Sequence, residues 1–291
     1  MNVKKALIAS LVFSLLYALT IVLQQFFLKS SIDPLNLNFF TYLFSASILT
    51  IYTLLFKKET FKFKSRKGLM LGIVSGIIGS VIADLAVVYG LKASSSINWG
   101  IISRLSVLVT FSLAIFMVNE KVNLRRIIAV TISLIGVLLV VYKPGSKVIL
   151  NTGDLLFLVA LFCFSYSNIL CQQALEYITV WQLTYLRFAS TAIILGILFF
   201  VFSHFEKVTV WGFVIFNGLS FITGITLVNI IIKKAGAAFF AITSNMVPIF
   251  IVILSIFILK EAPTLTQIIG GIAIIGSIFI FEKIKIKKLE H

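Results

Sequence analysis

The chain carries one pattern twice. Residues 41–47 read TYLFSAS and residues 184–190 read TYLRFAS, identical at five of seven positions. Residues 101–136 align without a gap to 242–277, pairing Ser103 with Ser244, Phe116 with Phe257, Glu120 with Glu261 and Ile127-Ile128 with Ile268-Ile269. Nine of those 36 positions are identical, a weak signal alone. The shared order of features strengthens it, because Gln24-Gln25 precedes the first TYL segment as Gln172-Gln173 precedes the second. The sequence therefore reads as an internal duplication, with units at 1–147 and 148–288. Leu289-Glu290-His291 reads as an expression-tag scar and is set aside.

Each unit is built from long apolar runs. Mean hydropathy is +1.11, and 60% of residues are hydrophobic, 28 of them Phe, which excludes an ordinary soluble domain. Runs near the length needed to cross about 30 Å of hydrocarbon recur throughout. They predict ten transmembrane helices, at 5–27, 36–56, 68–91, 97–118, 122–142, 153–175, 180–202, 210–232, 237–259 and 262–282. The first run is too long for a signal peptide and lacks a small-residue cleavage site, so it is expected to stay as a helix. Five helices per unit is an odd number, so a second copy must enter the membrane from the opposite side. The expected fold is all-α, two inverted five-helix repeats around a central cavity, a geometry suited to alternating access.

Charge placement sets the expected orientation. With the N-terminus cytoplasmic, cytoplasmic segments hold 17 Lys and Arg, six of them across 57–67, whereas external loops hold six. That bias puts both termini on the cytoplasmic side of the cell membrane. The net charge of +15 is thereby a topology signal, and nucleic acid is not needed to explain it. Cys163 and Cys171 lie about 12 Å apart on one helix, too far for a disulfide, and read as packing residues. No His/Cys cluster suggests a metal, and no cofactor is expected.

Residues 244–276 read SNMVPIFIVILSIFILKEAPTLTQIIGGIAIIG. A Pro early in the ninth helix (Pro248), a Glu at its end (Glu261) and a Gln-Ile-Ile-Gly-Gly opening to the tenth resemble the drug/metabolite transporter superfamily, specifically its EamA-type ten-helix members. The first unit repeats the pattern more loosely, with Val107 in place of the Pro and with Glu120 and Gly136 retained. The resemblance implies a transporter in which helices five and ten are peripheral and the other eight surround the cavity. It also implies export, the commoner direction among bacterial members. It leaves the substrate open, since the superfamily carries amino acids, drugs, nucleotide sugars and other metabolites.

Ionisable groups inside a membrane span cost roughly 2.5–3.5 kcal/mol each on insertion scales, which makes each a functional candidate. Three lie well inside: Asp84, Arg104 and Arg187. Asp84 and Arg104 each stand ten residues from Ser94, at matched depth on an antiparallel pair. They are expected either to pair and fasten helices three and four, or to share a substrate, with Arg104 on a carboxylate and Asp84 released to a proton or a cationic group. A third arrangement, in which they face apart, stays open. Arg187 reads as snorkelling to the interface or pairing with Glu176, or else as a gate, a coupling residue or a substrate contact. Ser103 and Ser244 flank Arg104 and its counterpart Asn245, so a polar spot recurs in both copies, and Pro248 would free a backbone carbonyl of helix nine toward the cavity. Glu120 and Glu261 suit a structural role at the helix ends.

Neutral polar residues (Gln24, Gln25, Asn98, Asn168, Gln172, Asn217, Thr223, Thr226, Asn229) are expected to face the interior, as interhelical bonds more often than as substrate contacts. Tyr17, Tyr89, Trp99 and Tyr166 are candidate aromatic walls, Trp99 equally a belt residue. Gly72, Gly76, Gly79 and Ala83 form a close-packing ladder. The substrate-binding set read from the sequence is Arg104, Asp84, Asn245, Ser103, Ser244, Tyr89, Asn168, Gln172 and Tyr17. An intramembrane enzyme is disfavoured: the two histidines, His204 and His291, fall in an external loop and the tag scar, and carboxylates do not cluster. A channel or scaffold stays open. The expected function is a secondary transporter exporting an amino acid or similar amphipathic metabolite; the alternative is a proton-coupled exporter of lipophilic cations. A homodimer is left open.

Overall fold

Side chains that cap helix ends set several of the element boundaries. Asp33 accepts a hydrogen bond from the Asn36 backbone N–H at 3.0 Å, and Pro34 fills the first helical position, where its missing N–H costs nothing. Ser65 caps the next helix by accepting from the Gly68 N–H at 3.1 Å. At residue 179 a reciprocal box forms: Thr179 accepts from the Gln182 N–H at 3.2 Å, and Gln182 accepts from the Thr179 N–H at 2.9 Å.

The computed structural model describes residues 3–28, 33–94, 98–99, 102–118, 123–141, 152–202, 211–250, 253 and 265–286. Among these the long elements are ten helices: α1 (Val3–Leu28), α2 (Pro34–Phe56), α3 (Arg66–Ala93), α4 (Ser103–Val118), α5 (Leu124–Val141), α6 (Thr152–Ala174), α7 (Val180–Phe202), α8 (Trp211–Ala235), α9 (Ala237–Phe250) and α10 (Leu265–Ile286). They match the ten expected spans in order and position. Helices α2, α3, α6, α7 and α8 are each long and apolar enough to cross a membrane. Large apolar side chains such as Ile51, Leu55, Phe116, Ile193 and Phe200 stay exposed on the outer faces, which suits hydrocarbon and not water.

The packing obeys a regular scheme. Helix α1 packs on α8 as α6 packs on α3, α2 on α8 as α7 on α3, and α1 on α9 as α6 on α4; α2 meets α7, α4 meets α9, and α5 meets α10. Exchanging each helix for the one five places along leaves these pairings unchanged. The α5–α10 contact is the closest to self-complementary. A Cβ on Gly136 would sit 2.8 Å from the Gly270 carbonyl oxygen, and a Cβ on Gly270 would strike the Gly136 carbonyl.

The glycine ladder of α3 does what its spacing suggests. Gly72 admits Leu186 of α7, and Gly76 lies against the Arg187 backbone, where a Cβ would come within 2.9 Å of its Cα. Gly79 makes room for Ser167 of α6. Directly after Gly76 the helix widens into a π-type stretch, Ile77–Ile82. Side chains from the neighbours brace it: Ser167 donates to the Ser75 carbonyl at 2.8 Å and Thr191 to the Gly76 carbonyl at 3.4 Å. Such wide turns rotate the next part of the helix about its axis and recur at functional sites. Just beyond this one stands Asp84.

Candidate functional site

A cavity with about 1050 Å³ of unfilled space, counting its opening, sits among the helices. Among the described residues its lining comes from α1, α2, α3, α4, α6, α7, α8 and α9, together with Trp99 just before α4, and none comes from α5 or α10. This is the peripheral placement of helices five and ten that the family resemblance implied. Aromatic rings make much of the wall, among them Phe13, Tyr17, Trp99, Phe164, Phe221 and Phe240. Trp99 is 3% exposed and packs on Phe157 with ring centroids 5.2 Å apart, so it is a wall residue, not a belt residue. All three intramembrane charges, Asp84, Arg104 and Arg187, line this cavity.

Arg104 and its surroundings derive from one missing hydrogen. In a regular helix the N–H of residue 248 would bond to the carbonyl of Ser244, but Pro248 has no N–H. The turn at Asn245-Met246 interrupts α9 there, and the orphaned Ser244 carbonyl accepts from Arg104 Nη1 at 2.6 Å. Ser103 completes the cradle, accepting from Nε at 3.2 Å and Nη2 at 3.0 Å. The α4 segment carrying them, Ser103–Leu105, is itself wound as a 3₁₀ turn. Ser103 and Ser244 thus hold one guanidinium between α4 and α9. The freed carbonyl expected from Pro248 is found, and it is Ser244's.

That arrangement corrects the expected pairing of Asp84 with Arg104. Tyr42 of α2 donates its hydroxyl to Asp84 Oδ2, and Arg104 is turned toward α9 by the carbonyl that needs a donor. Among the described residues the one ion pair is Lys62–Glu59, 2.7 Å apart on the surface. Arg187 is corrected too. It neither snorkels nor meets Glu176, but is 5% exposed inside the cavity. Its contacts are long: Nη1 to Asn229 Oδ1 at 3.4 Å and to Cys171 Sγ at 3.5 Å, Nη2 to Ser80 Oγ at 3.5 Å. Its Nε has no hydrogen-bond partner.

The remaining expectations divide. Tyr17 and Asn168 line the cavity with Ser103 and Ser244. Tyr89 does not: it is 39% exposed on the outer face of α3. Asn245 is buried against α5, where its Nδ2 donates to Ser133 at 2.7 Å. Gln172 accepts from the Ala237 N–H at 2.6 Å, steadying the turn at Gly236, whose φ of 88° suits glycine. Asn217 and Asn229 make interhelical bonds to Thr41 and Thr184 at 3.2 and 2.9 Å. Thr223 and Thr226 satisfy themselves on the carbonyls of Leu219 and Ile222, and Tyr166 is exposed. Glu120 and Glu261 lie outside the described residues. Two residues escaped the sequence reading. Tyr42 sits in the repeated TYL motif, which marked the segment without marking its chemistry. Asp154 is buried at the start of α6, accepting from Ser94 at 2.7 Å and from Asn98 at 3.1 Å, so Asn98 is a fastener.

The model of the EamA-like transporter family matches residues 4–142 and 151–282. The chain belongs to that family, within the drug/metabolite transporter superfamily. Relatives named Uncharacterized transporter YyaM of Bacillus subtilis (strain 168) and Uncharacterized transporter sll1164 of Synechocystis are 25% identical over 244 residues and 27% identical over 232. The first alignment covers 79% of this chain and 78% of YyaM; the second covers 75% of this chain and 66% of sll1164. A crystal structure of another protein, 15% identical, superposes with a TM-score of 0.75 over 99% of both chains and speaks to fold alone. This EamA-like protein is therefore a multi-pass membrane transporter and not an enzyme.

Proposed function

We propose that this EamA-like transporter is a secondary carrier that exports an amino acid or a similar amphipathic solute across the cell membrane by alternating access. One observation carries the reading: Arg104, buried in a cavity shared by both halves, is held by a main-chain carbonyl and a serine hydroxyl and not by a carboxylate. An ionised acceptor is the stronger partner for a guanidinium. A solute carboxylate entering the cavity displaces the Ser244 carbonyl and loosens α4 from α9 as it binds. Asp84 and Tyr42 offer acceptors to an ammonium group, and the aromatic wall takes the apolar remainder. Asp84 is also the group on which a coupled proton would ride. A lipophilic cation fits less well, since two guanidiniums face it and one carboxylate.

The exchange symmetry of the helix pairings and the two family matches support a duplicated unit, 1–147 and 148–288. With five helices in each, the second copy is inverted, and the bias of Lys and Arg places both termini in the cytoplasm. Purified protein in proteoliposomes tests the function. Vesicles preloaded with an unlabelled amino acid should accumulate a labelled trace transiently, with saturable kinetics. Linear flux without counterflow would mean a channel, and counterflow confined to tetraphenylphosphonium would mean a drug carrier.

A further inference from the structure

We infer that the preferred solute is a dicarboxylic α-amino acid, whose second carboxylate is received by Arg187. The inference rests on the proposed function, in which Arg104 takes one carboxylate and Asp84 the ammonium, and it adds a third point of attachment.

Arg187 has the features of a residue waiting for a ligand. It is 5% exposed and faces the cavity, yet its Nε has no hydrogen-bond partner. Its remaining donors reach only neutral atoms at 3.4–3.5 Å, at the weak limit of hydrogen-bond geometry. A guanidinium has five N–H donors, and leaving them unsatisfied in a buried site is costly. Among the described residues no ion pair joins Arg187 to Asp84, whose Oδ2 accepts from the Tyr42 hydroxyl.

The charges of the cavity then define their complement. Among the described residues its charged lining is Arg104, Arg187 and Asp84, two positive and one negative. Two carboxylates and one ammonium match them group for group and leave the loaded site neutral. Neutrality matters where the surroundings are of low dielectric. A monocarboxylic amino acid leaves Arg187 without an anion. A plain dicarboxylate leaves Asp84 facing negative charge with no ammonium to offset it.

Competition in the counterflow assay tests this, with glutamate, leucine and succinate as probes. In the wild-type protein glutamate should outcompete both of the others. Arg187→Gln should lower glutamate counterflow about tenfold or more relative to leucine counterflow in the same preparation, the worth of one charge-assisted contact. Arg187→Lys should retain part of the glutamate preference. A folding defect would lower both amino acids together, so the ratio isolates the contact. If Arg187→Gln does not fold, the wild-type competition and Arg187→Lys decide. Equal or better counterflow of leucine in the wild type, or an unchanged glutamate-to-leucine ratio in an Arg187→Gln protein that keeps its wild-type melting temperature, overturns the dicarboxylic assignment and leaves the amino-acid carrier standing. Absence of counterflow for every amino acid removes the underlying reading instead.

Discussion

Replacing Arg104 with alanine is expected to cut transport of carboxylate-bearing solutes at least about thirtyfold. Removing one partner of a buried, hydrogen-bonded charge pair costs about 2–5 kcal/mol, and each 1.4 kcal/mol is tenfold in affinity. Arg104→Lys should fall between, because a lysine keeps the charge and loses the fork that spans Ser103, Ser244 and the solute. The alanine variant also leaves the Ser244 carbonyl without a donor, a penalty of about 1–3 kcal/mol in stability. Thermal unfolding in detergent should therefore accompany the binding measurement. A carrier that is destabilised by Arg104→Ala yet binds and moves carboxylates as before would assign Arg104 to fastening α4 on α9 and nothing more.

The second large effect has opposite signs on stability and on transport. Pro248→Ala restores an N–H one turn after Ser244, so the Ser244 carbonyl can return to its own helix. Proline inside a helix costs about 3 kcal/mol relative to alanine, so the variant should melt at a higher temperature than the wild type. Its transport should fall about tenfold or more, since Arg104 loses the acceptor that poises it at the cavity and α9 loses its flexible turn. Stability gained at the expense of activity is the pattern expected when a strained element is part of the machinery. Unchanged transport in Pro248→Ala would show that the broken turn plays no part in the cycle.

These two residues also mark how far the sequence reads. The spans were legible because hydrocarbon imposes length: Val180–Phe202 begins and ends where the apolar run does. The freed carbonyl was legible because proline chemistry is local, and it lay where the i to i−4 rule puts it. Facing directions were not. Nothing in Ile77–Ile82 announces a π-type turn, yet such a turn rotates the rest of the helix, so Asp84 faces the cavity and Tyr89 faces out. Asn245 aligns with Arg104 residue for residue, but the break in α9 beside it leaves it against Ser133 of α5. Asp84 and Arg104 line one cavity, in keeping with their matched depth. Their separate partners depend on Tyr42 from α2 and Ser244 from α9, contacts between distant segments that no local spacing encodes.

Alternating access requires a pocket that opens to one face of the membrane and then to the other. Asn168 lines that pocket and serves as its reporter. In a background with Cys163→Ser and Cys171→Ser, Asn168→Cys should react with a membrane-impermeant thiol reagent added from the outside and, in inverted vesicles, from the cytoplasmic side. Saturating transported amino acid should change both rates in opposite directions. Labelling from one face alone under every condition, or from both at rates indifferent to solute, would rule out alternating access.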